Sequence, residues 1–195
     1  METKQIVLGS EVMVSDPCYT EPTWCQVKLK NVKPGNYYAF HKEHDAGDWG
    51  VRSSMIMVIH EDHIDDNLKW KEADGEVGVD SGQAGIFSYD TYRKDGMEIE
   101  VPSTGYDGRN FDWLDTALKP ENEGDDWYNK MCKITLSEIG WGTYSNGIVS
   151  RSGFGDGGYQ LFTVTRYGKV IGMAIDFAVE DGPYIDFKWY KEITV

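Results

Sequence analysis

Apolar and small or polar residues alternate from Val170 to Ala178, with Ile171, Met173, Ile175 and Phe177 set against Gly172, Ala174 and Asp176. A period of two predicts a β-strand with one buried face. The same alternation of Ile185, Phe187 and Trp189 with Tyr184, Asp186 and Lys188 predicts a terminal, half-buried strand. Met55-Ile56-Met57-Val58-Ile59 is apolar at every position, as expected of a central strand covered on both faces. Shorter runs rich in Val, Ile, Tyr, Phe and Thr predict further strands at Val7 to Val14, Gln26 to Leu29, Tyr37 to His41, Val77 to Asp80, Gly85 to Tyr89, Ile148 to Ser150 and Tyr159 to Thr165. Between Arg109 and Leu136 the spacing changes to gaps near three and four, through Phe111, Trp113, Leu114 and Leu118 and then Trp127, Met131 and Leu136. Pro120 and Gly124 divide that stretch, so one or two short helices are expected around residues 110–133.

Turn dipeptides punctuate the strands: Asp74-Gly75, Asp95-Gly96, Asp107-Gly108, Asp156-Gly157, Asp181-Gly182 and Asn146-Gly147. Such pairs accept the positive φ angles of tight turns and read as hairpins. The fold class expected is therefore mainly β, an antiparallel β-sandwich or barrel-like single domain over residues 1–195. With 40% hydrophobic and 13% aromatic residues the chain has the material for a core burying roughly two-thirds of its unfolded surface. No repeat, Pro-rich linker or low-complexity tract divides it, and the acid-rich stretch Glu121 to Asp126 reads as a solvated loop.

Charge narrows the partners. Nineteen Lys and Arg against 33 Asp and Glu leave a formal charge of -14, which repels phosphate backbones and anionic lipid heads. Neither direct nucleic-acid binding nor a membrane is expected; a polar small ligand or a basic protein surface is. Cys18, Cys25 and Cys132 are odd in number and form no Cys-x-x-Cys pair, which points to reduced thiols. Glu2 and Lys4 precede only a short apolar run, Ile6-Val7-Leu8, and no later run is long enough to span a bilayer, so a cytoplasmic location is expected.

Candidate chemistry is sparse. His41 and His44, and His60 and His63, are pairs three apart, but at strand ends such pairs point to opposite faces and make poor metal chelates. Two Gly-rich loops, Ser103 to Gly108 and Ser152 to Gly158, have the turns a hard cation requires, though each supplies one certain carboxylate. A divalent cation is the only cofactor this suggests. A mononucleotide P-loop is excluded by the missing lysine and by Asp156. Cys18 after Pro17, and Ser81 without a Gly-x-Ser-x-Gly frame, do not assemble a catalytic triad.

Three segments stand out together: Ser15-Asp16-Pro17-Cys18-Tyr19, Val79-Asp80-Ser81-Gly82-Gln83-Ala84-Gly85-Ile86-Phe87, and Ser152-Gly153-Phe154-Gly155-Asp156-Gly157-Gly158-Tyr159. In this order they resemble segments of a group of uncharacterised bacterial and phage proteins, over about residues 10–180. The resemblance implies a bacterial or phage origin and a β-rich domain; it brings no activity with it. Read from the residues themselves, each segment sets an Asp beside Gly, Pro or Ser at a predicted strand end, where loops gather on the rim of a sandwich. Convergence of Asp16, Asp80 and Asp156 would make an acidic, amide-rich pocket, with Ser81 and Gly153 beside the carboxylates and Tyr19, Phe154 or Tyr159 as a stacking wall. The alternative is that the three aspartates only cap turns. The expected function is a non-enzymatic binding protein that holds a polar small ligand or cation in these loops. Two alternatives differ in class: an acidic phage-type inhibitor that sequesters a host protein or signalling ligand, and a metal-dependent hydrolase using Asp16, Asp80 and Asp156, with or without a histidine, as ligands.

Overall fold

A computed structural model describes residues 4–94, 126–144, 146–180 and 185–193. Among the described residues eleven strands form two antiparallel sheets that pack face to face. The larger sheet has the order β1 (Lys4–Leu8), β4 (Gly35–Asp45), β5 (Val51–His60), β11 (Lys169–Asp176), β10 (Gly157–Arg166), β6 (Lys71–Val79). The smaller has the order β3 (Val27–Leu29), β2 (Val12–Ser15), β7 (Gln83–Ser88), β9 (Gly147–Arg151), β8 (Trp141–Tyr144). Among the described residues neither strand order closes on itself, with β1 and β6 at the ends of one sheet and β3 and β8 at the ends of the other, so the architecture is a sandwich and not a closed barrel. One α-helix, α1 (Asp126–Thr135), falls in the expected helical stretch; residues 109–125, where the other part of that expectation lies, are outside the described residues. No described helix is long and apolar enough to cross a membrane.

The alternating residues of both sheets meet between them. Ile6, Leu8, Val12, Val14, Ile56, Val58, Val77, Val79, Ile86, Ile148, Leu161, Met173, Ile175 and Phe177 are buried in this central layer. The opposite faces are covered as well, which explains why β5 is apolar throughout. Met55, Met57 and Ile59 point away from the sandwich, into a second cluster with Phe40, Trp189 and Tyr190. The smaller sheet buries Met13, Phe87, Tyr144 and Val149 against Trp127, Met131 and Ile134 of α1. At about 25 cal/mol per Å² of apolar area, three such layers are the main favourable term in folding.

Three expectations are corrected, and one strand is added. The run Val7 to Val14 is two strands: β1 joins the larger sheet and β2 the smaller, and the polar corner Gly9-Ser10-Glu11 carries the chain between them, held by Gly9 N–H donating to Ser88 Oγ at 3.0 Å. The terminal alternation is not a strand in residues 185–193. Phe187 stacks on Trp70 at 5.0 Å and meets Phe162 at 4.9 Å, and a short 3-10 turn at Trp189–Glu192 seats Trp189 and Tyr190 on the larger sheet. The apolar positions are used as a cover, not as a ladder. Asp74-Gly75 makes no hairpin: Gly75 has φ +102° inside β6, where the register against β10 shifts and β6 carries extra residues. Strand β8 was not foreseen; with β9 it forms a hairpin in which Tyr144 pairs with Gly147, beside the expected Asn146-Gly147 turn. Asp95-Gly96, Asp107-Gly108 and Asp181-Gly182, like the loop Ser103 to Gly108, are outside the described residues.

Candidate functional site

Strand β2 ends at Ser15, and the next residue, Asp16, is completely buried. A buried carboxylate must be met by donors, and Asp16 is. Its Oδ1 accepts from Cys18 N–H at 2.7 Å and from Ser81 Oγ–H at 2.6 Å; its Oδ2 accepts from Asp80 N–H at 2.9 Å and Ser81 N–H at 2.7 Å. The Asp-Pro-Cys-Tyr loop is thereby clamped to the turn that leads from β6 in one sheet to β7 in the other. Around the clamp, Tyr92 Oη–H donates to the Tyr19 carbonyl at 2.7 Å and Arg93 Nη1–H to the Pro17 carbonyl at 2.6 Å. The third segment joins through Ser152 N–H, which donates to the Gly82 carbonyl at 2.9 Å. The register places Gly157 opposite Val79, so Asp156 and Asp80 leave the β10–β6 ladder at the same end. The three segments therefore share one end of the sandwich.

Beside the clamp lies a cavity of about 370 Å³, within the lower range of small-molecule sites, lined by Tyr19, Thr23, Trp24, Cys25, Glu76, Gly78, Val79, Asp80, Gly157 and Gly158. Its floor is a cross-strand pair of glycines, Gly78 opposite Gly158. A Cβ on Gly78 would sit 2.6 Å from Cys25 Cβ, which leaves no room for a side chain, and one on Gly158 would sit 1.9 Å from Glu76 Oε1 and require the Glu76 carboxylate to move. Residues 76, 78 and 80 share one face of β6 while Val77 and Val79 point into the core. One wall is the loop after Tyr19. Thr23 Oγ1–H donates to the Thr20 carbonyl at 2.7 Å, Thr23 N–H to Gln26 Oε1 at 2.9 Å, and Gly78 N–H to the Cys25 carbonyl at 3.0 Å, so the loop is pinned both to itself and to β6. It holds Trp24 at the cavity with 91% of its surface exposed. Burial, a hydrogen bond to Asp80 and one to Cys25 push the Tyr19 hydroxyl well above the ordinary tyrosine range, so it is a neutral donor.

The remaining reactive groups are occupied in other ways. Burial first, then the hydrogen bond and charge of Asp16, push the Cys18 thiol up to about 12, which leaves it protonated and a poor nucleophile. His41 is buried, with Nε2 2.9 Å from Ser53 Oγ and its ring stacked on Trp141 at 5.0 Å; burial and then the charge of Arg151 lower it to about 3. His60 is buried edge-on to Tyr37 and accepts Asp62 N–H at its Nδ1. His63 Nδ1 faces Asp66 Oδ2 at 2.7 Å, and the Lys33 ammonium sits 2.5 Å from Asp62 Oδ2 and 3.4 Å from His63 Nε2. A cation of the protein's own thus fills the space between these donors. Among the described residues no group of three or more His, Cys, Asp or Glu is arranged to hold a metal ion.

Of the residues singled out in the sequence, Tyr19 and Asp80 line the cavity. Asp16 and Ser81 form the clamp behind it, with the Asp16 oxygens already bonded. Gly153 is buried, with room for a Cβ blocked by Val179 Cγ2 at 2.3 Å and the Phe177 carbonyl at 3.0 Å. Asp156 is exposed at the same end. Tyr159 is no stacking wall: it packs edge-on to Phe177 at 5.2 Å and donates to the Gly155 carbonyl at 2.8 Å. Phe154 meets Trp49 at 6.1 Å. Thr23, Trp24, Cys25, Glu76, Gly78 and Gly158 were missed. The period-two pattern Glu76-Gly78-Asp80 was a usable signal; nothing local announced that the 19–25 loop would face it. The chain matches no family model, and no curated protein or solved structure is significantly similar to it.

Proposed function

We propose that this is a binding protein that holds a polar small ligand in the cavity over the Gly78–Gly158 pair. The observation that supports this reading is a cavity of about 370 Å³ built where the three distinctive segments meet, on loops braced by a buried carboxylate. Bracing of this kind gives a preformed site, which lowers the ordering cost of binding. The neutral Tyr19 hydroxyl, the Asp80 and Glu76 carboxylates and exposed backbone at Gly157 supply hydrogen-bonding groups, and Trp24 supplies an apolar face. The protonated Cys18 and the buried, neutral His41 lend no support to nucleophilic chemistry here.

The test is a fragment screen by protein-observed NMR with a library of cationic, neutral and anionic polar fragments. Hits are expected to shift the amides of Gly78, Gly157 and Gly158 and the Trp24 indole, and Trp24→Ala is expected to weaken them at least fivefold. A screen whose hits all map elsewhere, or are unaffected by Trp24→Ala, overturns the proposal.

A further inference from the structure

The charge and aromatic content of the cavity narrow the ligand further. Among the described residues that line it, Glu76 and Asp80 are the acidic side chains, and none is Lys, Arg or His. Among the described residues neither carboxylate is in an ion pair, although Lys28, Lys33 and Lys42 each find an acidic partner elsewhere. The Glu76 carboxylate lies across Gly158, where any larger residue would displace it, and the Gly78–Gly158 pair beneath it is bare of side chains. Also lining the cavity is the Trp24 indole, which the fold leaves 91% exposed on a pinned loop, while Trp127 and Trp189 are 1% and 6% exposed.

Two unpaired carboxylates repel phosphates and carboxylates. They attract a cation, and the electron-rich faces of indole and phenol stabilise an organic cation within about 6 Å while gaining nothing from a neutral group of the same shape. A bare divalent ion would want six or more oxygens; the cavity offers two separate carboxylates among aromatic and aliphatic walls, and a volume far beyond one ion. From this combination we infer that the cavity binds a small organic ammonium compound, its cationic head between Glu76, Asp80 and the Trp24 indole, and its remaining polar groups on the Tyr19 hydroxyl and the backbone at Gly157. This inference rests on the ligand-binding reading above and specifies the ligand's chemistry.

The experiment compares choline with 3,3-dimethylbutan-1-ol, its uncharged carbon isostere, by NMR titration of the full chain, following the Trp24 indole and the Gly158 amide. Choline is expected to bind at least tenfold more tightly than the alcohol. Glu76→Gln combined with Asp80→Asn should erase that preference, and Trp24→Ala should weaken choline at least fivefold. All three side chains are exposed, and thermal melts of the variants check that the fold persists. Calcium chloride at equal concentration should leave the Trp24 signal unmoved. Equal shifts from choline and the alcohol, or shifts from calcium but not choline, overturn the ammonium assignment while leaving a ligand pocket in place. No movement with any probe overturns the assignment, and if the fragment screen is also silent at these residues, the pocket reading falls with it.

Discussion

Asp16 and Asp80 belong to one hydrogen-bonded assembly, yet they live under opposite conditions. Asp16 is fully buried and its oxygens take donors from Cys18, Asp80 and Ser81. Asp80 gives its N–H to that carboxylate and turns its own side chain outward to the cavity and to Tyr19. One aspartate has been made part of the scaffold by exhausting its lone pairs, and the other stays available because its side chain remains in solvent. Removing a buried acceptor strands its donors, whereas removing an exposed one lets water take over. The difference between clamp and rim is therefore measurable as stability against binding.

The largest effect is expected at the clamp. Asp16→Ala leaves the N–H groups of Cys18, Asp80 and Ser81 without their acceptor and should cost about 3–5 kcal/mol in urea unfolding. A loss below about 1 kcal/mol would show that water replaces the carboxylate and would dissolve the distinction.

A second, comparable effect comes from the scaffold's buried histidine and is seen in pH. An unfolded His41 titrates near 6.5, whereas in the fold it is lowered to about 3. Above pH 6.5 both states are neutral and the full stability is present. Between 6.5 and 3 only the unfolded chain gains a proton, so stability declines as pH falls, by roughly 2 kcal/mol at pH 5 from this residue. His60 is shifted in the same direction, by burial and the charge of Lys33, and adds to the decline. The slope of unfolding free energy between pH 7 and 5 should shrink in His41→Gln.

Smaller still are two glycine replacements within one segment. Gly153→Ala drives a methyl against Val179 and the Phe177 backbone and should cost about 1–2 kcal/mol, while Gly158→Ala meets only the movable end of Glu76 and should cost less than that. Equal losses in thermal melts would contradict a rigid clamp beside an adaptable rim. The smallest stability change is expected for Asp80→Asn, within about 0.5 kcal/mol in the same melts, because its side chain is exposed and its clamping contact is through the backbone.

Much of the fold could be read in advance. Alternation at Ile171 to Phe177 and the unbroken apolar run at Met55 to Ile59 follow from the two-residue period of a strand and from coverage of β5 on both faces. The end of the chain misled for an instructive reason. Phe187 and Trp189 alternate as strand residues do, but they pack onto a face already built by Phe40, Met55 and Met57, and periodicity does not say whether an apolar residue lies in a sheet or on one. In the site, Asp16, Tyr19, Asp80, Ser81, Gly153 and Asp156 were gathered at one end as their turn-forming neighbours suggested, whereas Tyr159 faced the core because the strand's alternation put it there.

The sequence by itself determined a mainly β fold, its strong strands, its acidic charge and the turn segments between strands, because these depend on local period and on backbone chemistry that only Gly, Pro, Asp and Ser supply. Tertiary structure alone decided which aspartate is buried, which strands pair, that the turn segments meet at one end, and that Glu76 and Trp24 line one cavity with two paired glycines. Those outcomes depend on contacts between residues some fifty to eighty positions apart, as between Cys25 and Gly78 or Gly78 and Gly158, and a carboxylate carries no local mark of whether its donors come from solvent or from another strand.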